Sequence, residues 1–279
     1  MKRKISLLLI LVMVIGVIGG CSAKGSDVTT KEPQDVVVND TDVKVEESNV
    51  STVAIISSET TESYITDDKS GLYINVKDAG IAISNGNVVI PETVKFEGNT
   101  YTVGSISIRC FEKNDEIVSV TLPDSITRIE EKAFYQCHNL QSVTFGSGLV
   151  LIGDYAFAGC GKLNNVVLPD TLTDLREYCF AGCESLESIN LENCGVSKIY
   201  EGAFRGCIKL SSVTLPKELK TIETWVFSEA IITELGVPDT VSKIGDWAFN
   251  DINDITLKVS AGSKAEEYAK ENNIKYVLK

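Results

Sequence analysis

The sequence predicts a repeat solenoid, on three observations. Phenylalanines recur at a fixed interval, apolar columns repeat at fixed offsets from them, and each unit ends in an alternating apolar run. Phe111, Phe134, Phe157, Phe180, Phe204, Phe227 and Phe249 are spaced by 23, 23, 23, 24, 23 and 22 residues. A constant period of that size marks stacked supersecondary units. With 279 residues the chain is long enough for one elongated domain or two compact ones.

The N-terminus reads as an address. Lys2, Arg3 and Lys4 precede an apolar run over residues 5–20. That run falls short of the ~20 residues that cross a bilayer as a helix. It ends in Ile18-Gly19-Gly20-Cys21 and then turns polar. The tetrapeptide resembles the lipobox of bacterial lipoproteins, with Gly19 in place of the commoner Ala or Ser. The resemblance implies that residues 1–20 are a lipoprotein signal peptide and that Cys21 is the lipidation site and mature N-terminus. An uncleaved anchor and an ordinary signal peptide are the alternatives. Residues 22–70 hold four lysines against eleven acids, with few large side chains. Such a stretch buries too little surface to offset its ordering entropy, so residues 21–70 are expected to form a flexible acidic Ser/Thr-rich tether. Val36-Val37-Val38 and Val53-Ala54-Ile55-Ile56 are the β-prone exceptions.

Residues 71–108 read as a β-rich N-terminal cap. Asn85-Gly86 lies between Ile81-Ala82-Ile83 and Val88-Val89-Ile90, a strong hairpin signal. Seven repeats then fill residues 109–258. Six residues after each Phe stand Ile117, Leu140, Leu163, Leu186 and Leu210; three later come Val120, Val143, Val166, Ile189 and Val213, and two later Leu122, Phe145, Leu168, Leu191 and Leu215. The period of two at the end predicts a short parallel strand with one buried face. Pro123, Pro169, Pro216 and Pro238 close four of the strands, where a missing N–H is tolerated. A second apolar pair, as in Leu149/Ile152, leads into a short helical turn bearing Ala-Phe, as in Asp154-Tyr155-Ala156-Phe157. Residues 259–279 read as a cap helix and strand. One unit cannot bury enough surface to stand alone, so stacking is obligatory. The 24-residue spacing falls at Asn193-Cys194-Gly195, and both irregular spacings are expected to be absorbed in turns.

The unit I-x-x-x-A-F-x-x-C-x-x-L-x-x-V-x-L-P resembles the BspA-like leucine-rich repeats of bacterial surface proteins. The similarity extends to the lead-in, Val88 to Val103, and to the closing Ala261-Gly262-Ser263 and Ala265 to Lys270. It implies a right-handed leucine-rich repeat solenoid, used in adhesion or interaction at a cell surface, with no shared catalytic residues. Together with the lipobox it implies export and lipid anchoring to the outer face of the cytoplasmic membrane or to the cell surface.

Composition and motifs narrow the chemistry. Lys and Arg total 26 against 39 acids, a net charge of −13, which argues against nucleic acid as a partner because phosphate binding needs a basic stripe. His138 is the one histidine, so neither a two-His metal site nor a His-based triad or dyad is expected, and His138 reads as an exposed repeat variant. Cys137, Cys160, Cys183 and Cys207 share one register that Asn114, Ala230 and Ile252 also occupy, as expected of a packing column. Disulfides between coils and metal binding are the alternatives, although no C-x-x-C occurs. The phosphate-loop likeness of Gly159-Cys160-Gly161-Lys162-Leu163 fails at Ala156 and Leu163. Neither an enzyme nor a cofactor is expected.

Two columns flank the Phe. Glu131, Asp154, Glu177, Glu201 and Asp246 precede it by three, where carboxylates suit the start of a helical turn; a cation ladder is the alternative. Tyr155, Tyr178, Trp225 and Trp247 precede it by two and form the candidate binding column, the alternative being coil-on-coil packing. A secondary candidate face is the outward side of the strands, with Ser142, Thr144, Asn165, Ser188, Asn190, Ser212 and Thr214. The resulting expectation is a monomeric, non-enzymatic surface module for an unidentified protein or glycan, with a structural spacer as the runner-up and a hydrolase behind both. The anchor is directly testable: Cys21→Ala should move the protein from the detergent phase to the medium, and mass spectrometry of the native protein should find an acylated Cys21.

Overall fold

A computed structural model describes residues 66–68, 71–75, 83–96 and 99–279 of the chain. The leader, Cys21 and nearly all of the tether lie outside the described residues. Strand pairing begins at Thr66, within the stretch assigned to the tether, where β1 (Thr66–Asp68) pairs antiparallel with β2 (Gly71–Asn75).

The lead-in continues with β3 (Ile83–Ser84), β4 (Asn87–Val89), β5 (Thr93–Phe96) and β6 (Asn99–Ile106). Asn85 and Gly86 join β3 to β4 with φ of 50° and 80°, the left-handed pair that a two-residue hairpin of this type requires. The coils follow, each contributing two short strands. The three-residue strands are β7 (Ser119–Thr121), β9 (Ser142–Thr144), β11 (Asn165–Val167), β13 (Ser188–Asn190), β15 (Ser212–Thr214) and β17 (Glu234–Gly236). Alternating with them are two-residue strands, β8 (Arg128–Ile129), β10 (Leu151–Ile152), β12 (Asp174–Leu175), β14 (Lys198–Ile199), β16 (Thr221–Ile222) and β18 (Lys243–Ile244). The cap comprises β19 (Thr256–Val259), α1 (Lys264–Glu271) and β20 (Lys275–Leu278).

The three-residue strands are those the alternation predicts. Most pair in parallel with their equivalents one repeat away, as in Ser119↔Ser142 and Val120↔Val143, and the central side chain turns inward. The two-residue ladder is unforeseen, because two residues are too few to display a period of two. It is the more continuous of the two, running in the order β1-β2-β6-β8-β10-β12-β14-β16-β18. Its inward residues, among them Ile129, Ile152, Leu175, Ile199 and Ile222, are fully buried. The three-residue ladder divides into β3-β4-β7-β9-β11, β13-β15 and β17-β19-β20.

The irregular spacings therefore act differently. The extra residue at Asn193-Cys194-Gly195 stays in its corner, where Cys194 turns inward and its N–H reaches the Leu191 carbonyl at 3.1 Å. The missing residue after Phe227 falls just before β17, where the three-residue ladder is interrupted, as it also is between β11 and β13 at the regular spacing of 23.

The helical turn predicted for each coil does not form; α1 is the one α-helix among the described residues. The residues two before Phe have φ between 53° and 59°, and those two after have φ between 57° and 76°. This left-handed punctuation turns alternate N–H groups along the solenoid axis. Tyr155, Phe157 and Gly159 donate to the carbonyls of Glu177, Cys179 and Ala181 in the next coil at 2.8–2.9 Å. Ala156, Ala158 and Cys160 bond within their own coil, to Gly153, Tyr155 and Phe157 at 3.1–3.2 Å. A helix would direct every donor into its own coil and leave the neighbouring turn's carbonyls without partners. The turn is thus a third ladder between coils.

Inside, the Phe rings stack face to face along the axis. Centroid separations run from 5.1 Å for Phe134–Phe157 to 5.9 Å for Phe227–Phe249, and no pair is tilted by more than 14°. The cysteine column beside them is buried and unbridged. Each thiol donates to the carbonyl of the Phe one coil back: Cys137 to Phe111, Cys160 to Phe134, Cys183 to Phe157 and Cys207 to Phe180, at 2.9–3.4 Å. The packing assignment holds, and the S–H bond is a reason to prefer Cys to Ala there. Burial pushes the Cys137 and Cys207 thiols up to about 12.

Both ends are covered. At the leading end β4 pairs with β7 and β6 with β8, so both sheet ladders have a template. At the trailing end β20 lies parallel to β19, and α1 lays Tyr268 edge-on against Phe249 at 5.9 Å. Ser263 caps α1 by accepting the Glu266 N–H, and the Glu266 carboxylate takes the Gly262 N–H.

Two measurements test this core. Phe180→Ala should cost about 3–5 kcal/mol and Cys160→Ala about 1–2 kcal/mol in urea unfolding, with identical reducing and non-reducing gels. The thiols also tie stability to pH. A thiol whose folded value lies above its ordinary value near 9 stabilises fully below that pH, and the contribution is lost as pH rises towards 12. Urea midpoints should therefore fall between about pH 9 and 11 and fall less steeply in Cys137→Ala.

Candidate interaction surface

The candidate aromatic column sits on the left-handed turn, two residues before each Phe. Tyr155, Tyr178, Trp225 and Trp247 adopt φ of 57°, 53°, 57° and 56°, a region bulky residues seldom enter. That backbone swings their side chains away from the Phe stack. None of the four is buried: three are partly exposed and Trp247 is 55% exposed. The rings also pack coil on coil, stacking on each other. Tyr155 and Tyr178 are parallel at 5.1 Å, and Trp225 and Trp247 at 5.7 Å.

The ladder has a gap that the sequence does not advertise. Gly202 holds the same register, with φ of 59°. A β-carbon there would lie 2.2 Å from Cε1 of Tyr178. The tyrosine ring therefore leans over the glycine, and the column divides into a tyrosine pair and a tryptophan pair.

Charged neighbours edge both pairs. The Lys132 ammonium stands 5.2 Å from the Tyr155 ring centre, and the Arg205 guanidinium 5.2 Å from that of Trp225. Tyr135 meets Tyr155 edge-on at 6.5 Å. The Tyr178 hydroxyl donates to the Glu201 carboxylate in the next coil. Burial, then that carboxylate, raises the Tyr178 phenol above its ordinary value; burial, then Glu177, does the same for Tyr155. Both phenols stay neutral through the physiological range, so the flank offers uncharged rings with cationic edges. Lys132, Tyr135 and Arg205 escaped the sequence reading because they do not repeat.

The acidic column does not cap helices, since the described coils form none. Its backbone carbonyls accept the ladder bonds of the preceding coil, as Glu177 does from Tyr155 at 2.9 Å. Its carboxylates pair sideways: Asp154 takes the Glu177 N–H at 3.1 Å, and Glu131 meets Lys132 at 2.8 Å. Among the described residues no cluster of acids, histidines and cysteines has the form of a metal site. His138 lies on the surface, with Nδ1 3.0 Å from Asp115 Oδ1, and the same carboxylate oxygen takes the His138 N–H.

The secondary face forms as the strand register dictates, with Ser142 opposite Asn165, Ser188 opposite Ser212 and Asn190 opposite Thr214. Thr144, Ser188, Asn190, Ser212 and Thr214 are exposed, and Ser142 is half-buried. Val167 pairs with Thr144 in this row and is 75% exposed, as is Val89 at 66% opposite Thr121. The face is therefore less uniformly polar than its serines and threonines suggest, but it lacks aromatic or arginine anchors.

Comparison with known proteins agrees with this architecture. The profile of the BspA type leucine-rich repeat region matches six copies over residues 104–196 and 193–276. No curated protein matches the sequence. Among solved structures, a leucine-rich cell surface protein from Faecalibacterium prausnitzii is 27% identical with a TM-score of 0.62. The match covers 75% of this chain and 55% of that one, so this chain spans about half its length. A leucine-rich repeat protein of T. pallidum is 25% identical with a TM-score of 0.59, over 77% of this chain and 94% of the other. A Eubacterium ventriosum leucine-rich repeat protein, at 22% identity, 72% and 52% coverage and a TM-score of 0.56, shares the fold. With the repeat matched across more than half of its length, and the coil built as the repeat requires, this chain belongs to the BspA-type leucine-rich repeat family.

Proposed function

We propose that the chain is a non-enzymatic interaction module displayed at a bacterial cell surface, held by a lipid on Cys21, which docks a protein or a glycan on its aromatic flank. The observation that carries the reading is the pair of stacked, part-exposed ladders, Tyr155–Tyr178 and Trp225–Trp247. Rigid aromatic side chains bury a large area at little entropic cost, which makes them the usual anchors of interfaces. Stacking fixes these rings before any partner arrives, so less order remains to be imposed on binding. The serine and threonine rows offer contacts that are individually small.

The surface location is supported by the leader sequence and by the description of the Faecalibacterium neighbour as a cell surface protein. Among the described residues no helix is long and apolar enough to cross a membrane. The active site of a hydrolase would need an acid, a base or a nucleophile gathered at one place. The columns instead repeat single groups at intervals.

The test compares variants on one partner. Immobilised full-length protein is screened against glycans and cell-surface extracts, and the captured partner is titrated. Trp225→Ala should weaken binding at least about tenfold, whereas Thr144→Ala and Thr214→Ala should change it by less than about twofold. The melting temperature should stay nearly unchanged in all three, since none lies in the core. Equal binding by Trp225→Ala and wild type would remove the flank from the interface, and failure to capture anything would favour the spacer.

A further inference from the structure

The aromatic column ends at Trp247, and something different begins there. Every earlier coil is followed by another, whereas the last is followed by α1 and β20. The replacement leaves a cleft of about 330 Å³ between the final turn and the cap. That volume lies at the lower end of the ~300–1,000 Å³ of small-ligand sites, room for one or two small rings and not for a folded surface.

The lining combines three kinds of group. Trp247 forms one wall; one of its faces is stacked on Trp225, and the side chain as a whole is 55% exposed. Phe249 and Tyr268, both buried, make an apolar floor. Around them stand planar or charged polar side chains from both sides of the junction: Asn250, Asp251 and Asp254 from the final coil, and Asn273 and Lys275 from the cap.

These groups are held in place. Asn250 Nδ2 donates to Asp251 Oδ2 at 2.5 Å, which orients the amide and leaves the second carboxylate oxygen of Asp251 to another donor. Lys275 Nζ lies 2.8 Å from Asp254 Oδ1, so that pair is neutral as a unit.

We propose that this cleft binds one residue of a neutral sugar. A pyranose has two apolar faces of C–H groups, which suit an indole wall. Its rim of hydroxyls both donates and accepts, which matches carboxylates, amides and an ammonium set around an apolar floor. The lining carries one carboxylate beyond its lysine, so phosphorylated or carboxylated sugars fit worse than neutral ones. A purely apolar ligand would leave the Asp and Asn groups desolvated without partners. The site shares only Trp247 with the docking flank and does not need the flank to be an interface.

The test uses the full chain with glucose, galactose, mannose and N-acetylglucosamine, read by saturation-transfer NMR and by tryptophan fluorescence. At least one should bind saturably with a Kd of about 0.1–10 mM, the range open to a ligand of this size. Asn273→Gly removes the amide at a residue with φ of 53°, which glycine accepts without strain, and should weaken binding at least about tenfold. Trp247→Ala should do the same and abolish the fluorescence change. Lys217→Ala, an exposed residue that lines neither the cleft nor the flank, should stay within about twofold. The proposal falls if none of the four saturates by about 50 mM on folded protein, well above the expected range. It also falls if Asn273→Gly and Trp247→Ala both bind as wild type does.

Discussion

Hydrogen bonding between successive coils is the constraint on which the molecule depends. Strands that share a ladder lie about 4.7–4.9 Å apart, and no side chain can change that pitch. Each coil donates into the next through a three-residue strand, a two-residue strand and the left-handed turn, although the first of these ladders is interrupted twice. Every column of equivalent residues is therefore spaced at nearly the pitch of its ladders. Rings in such a column have little choice but to stack. The Phe separations of 5.1–5.9 Å are the backbone pitch expressed through side chains.

The same constraint accounts for the cysteines. In the column beside the Phe stack a thiol is buried while reaching the carbonyl of the previous Phe. That carbonyl already accepts from its own coil, as Phe134 does from the Cys137 N–H at 3.2 Å, and the S–H takes its second lone pair. One backbone bond and one side-chain bond thus converge on a single carbonyl without any covalent bridge.

Most of the architecture was legible because repetition amplifies weak signals. One Phe says little, but seven at a constant interval fix the coil length, and the columns at fixed offsets fix the strand that faces inward. The turn was misread for a physical reason. Asp-Tyr-Ala-Phe carries an acid and an alanine where a helix would start, and left-handed backbone is announced by glycine only where glycine is used. Tyr155, Tyr178, Trp225 and Trp247 hide it. The register of these aromatics could be read from the sequence, but their exposure could not, since it follows from that unannounced φ. Gly202 holds the same register, and the Tyr178 ring lies over it. The terminal cleft had no signal in the repeat at all. It arises where the repeat stops, from residues more than twenty positions apart that meet only when α1 docks.

The lead-in has a consequence for how the chain acquires its shape. Because β4 and β6 present edges for both strands of the first coil, that coil has a template as soon as it exists, and it becomes the template for the second. Each addition closes a loop of only one repeat, so the entropic cost of closure stays constant along the molecule. A chain emerging N-terminus first from a ribosome or a secretion channel can fold behind the exit point in the order in which it appears. No coil need wait for the far end, and α1 is the last piece to close.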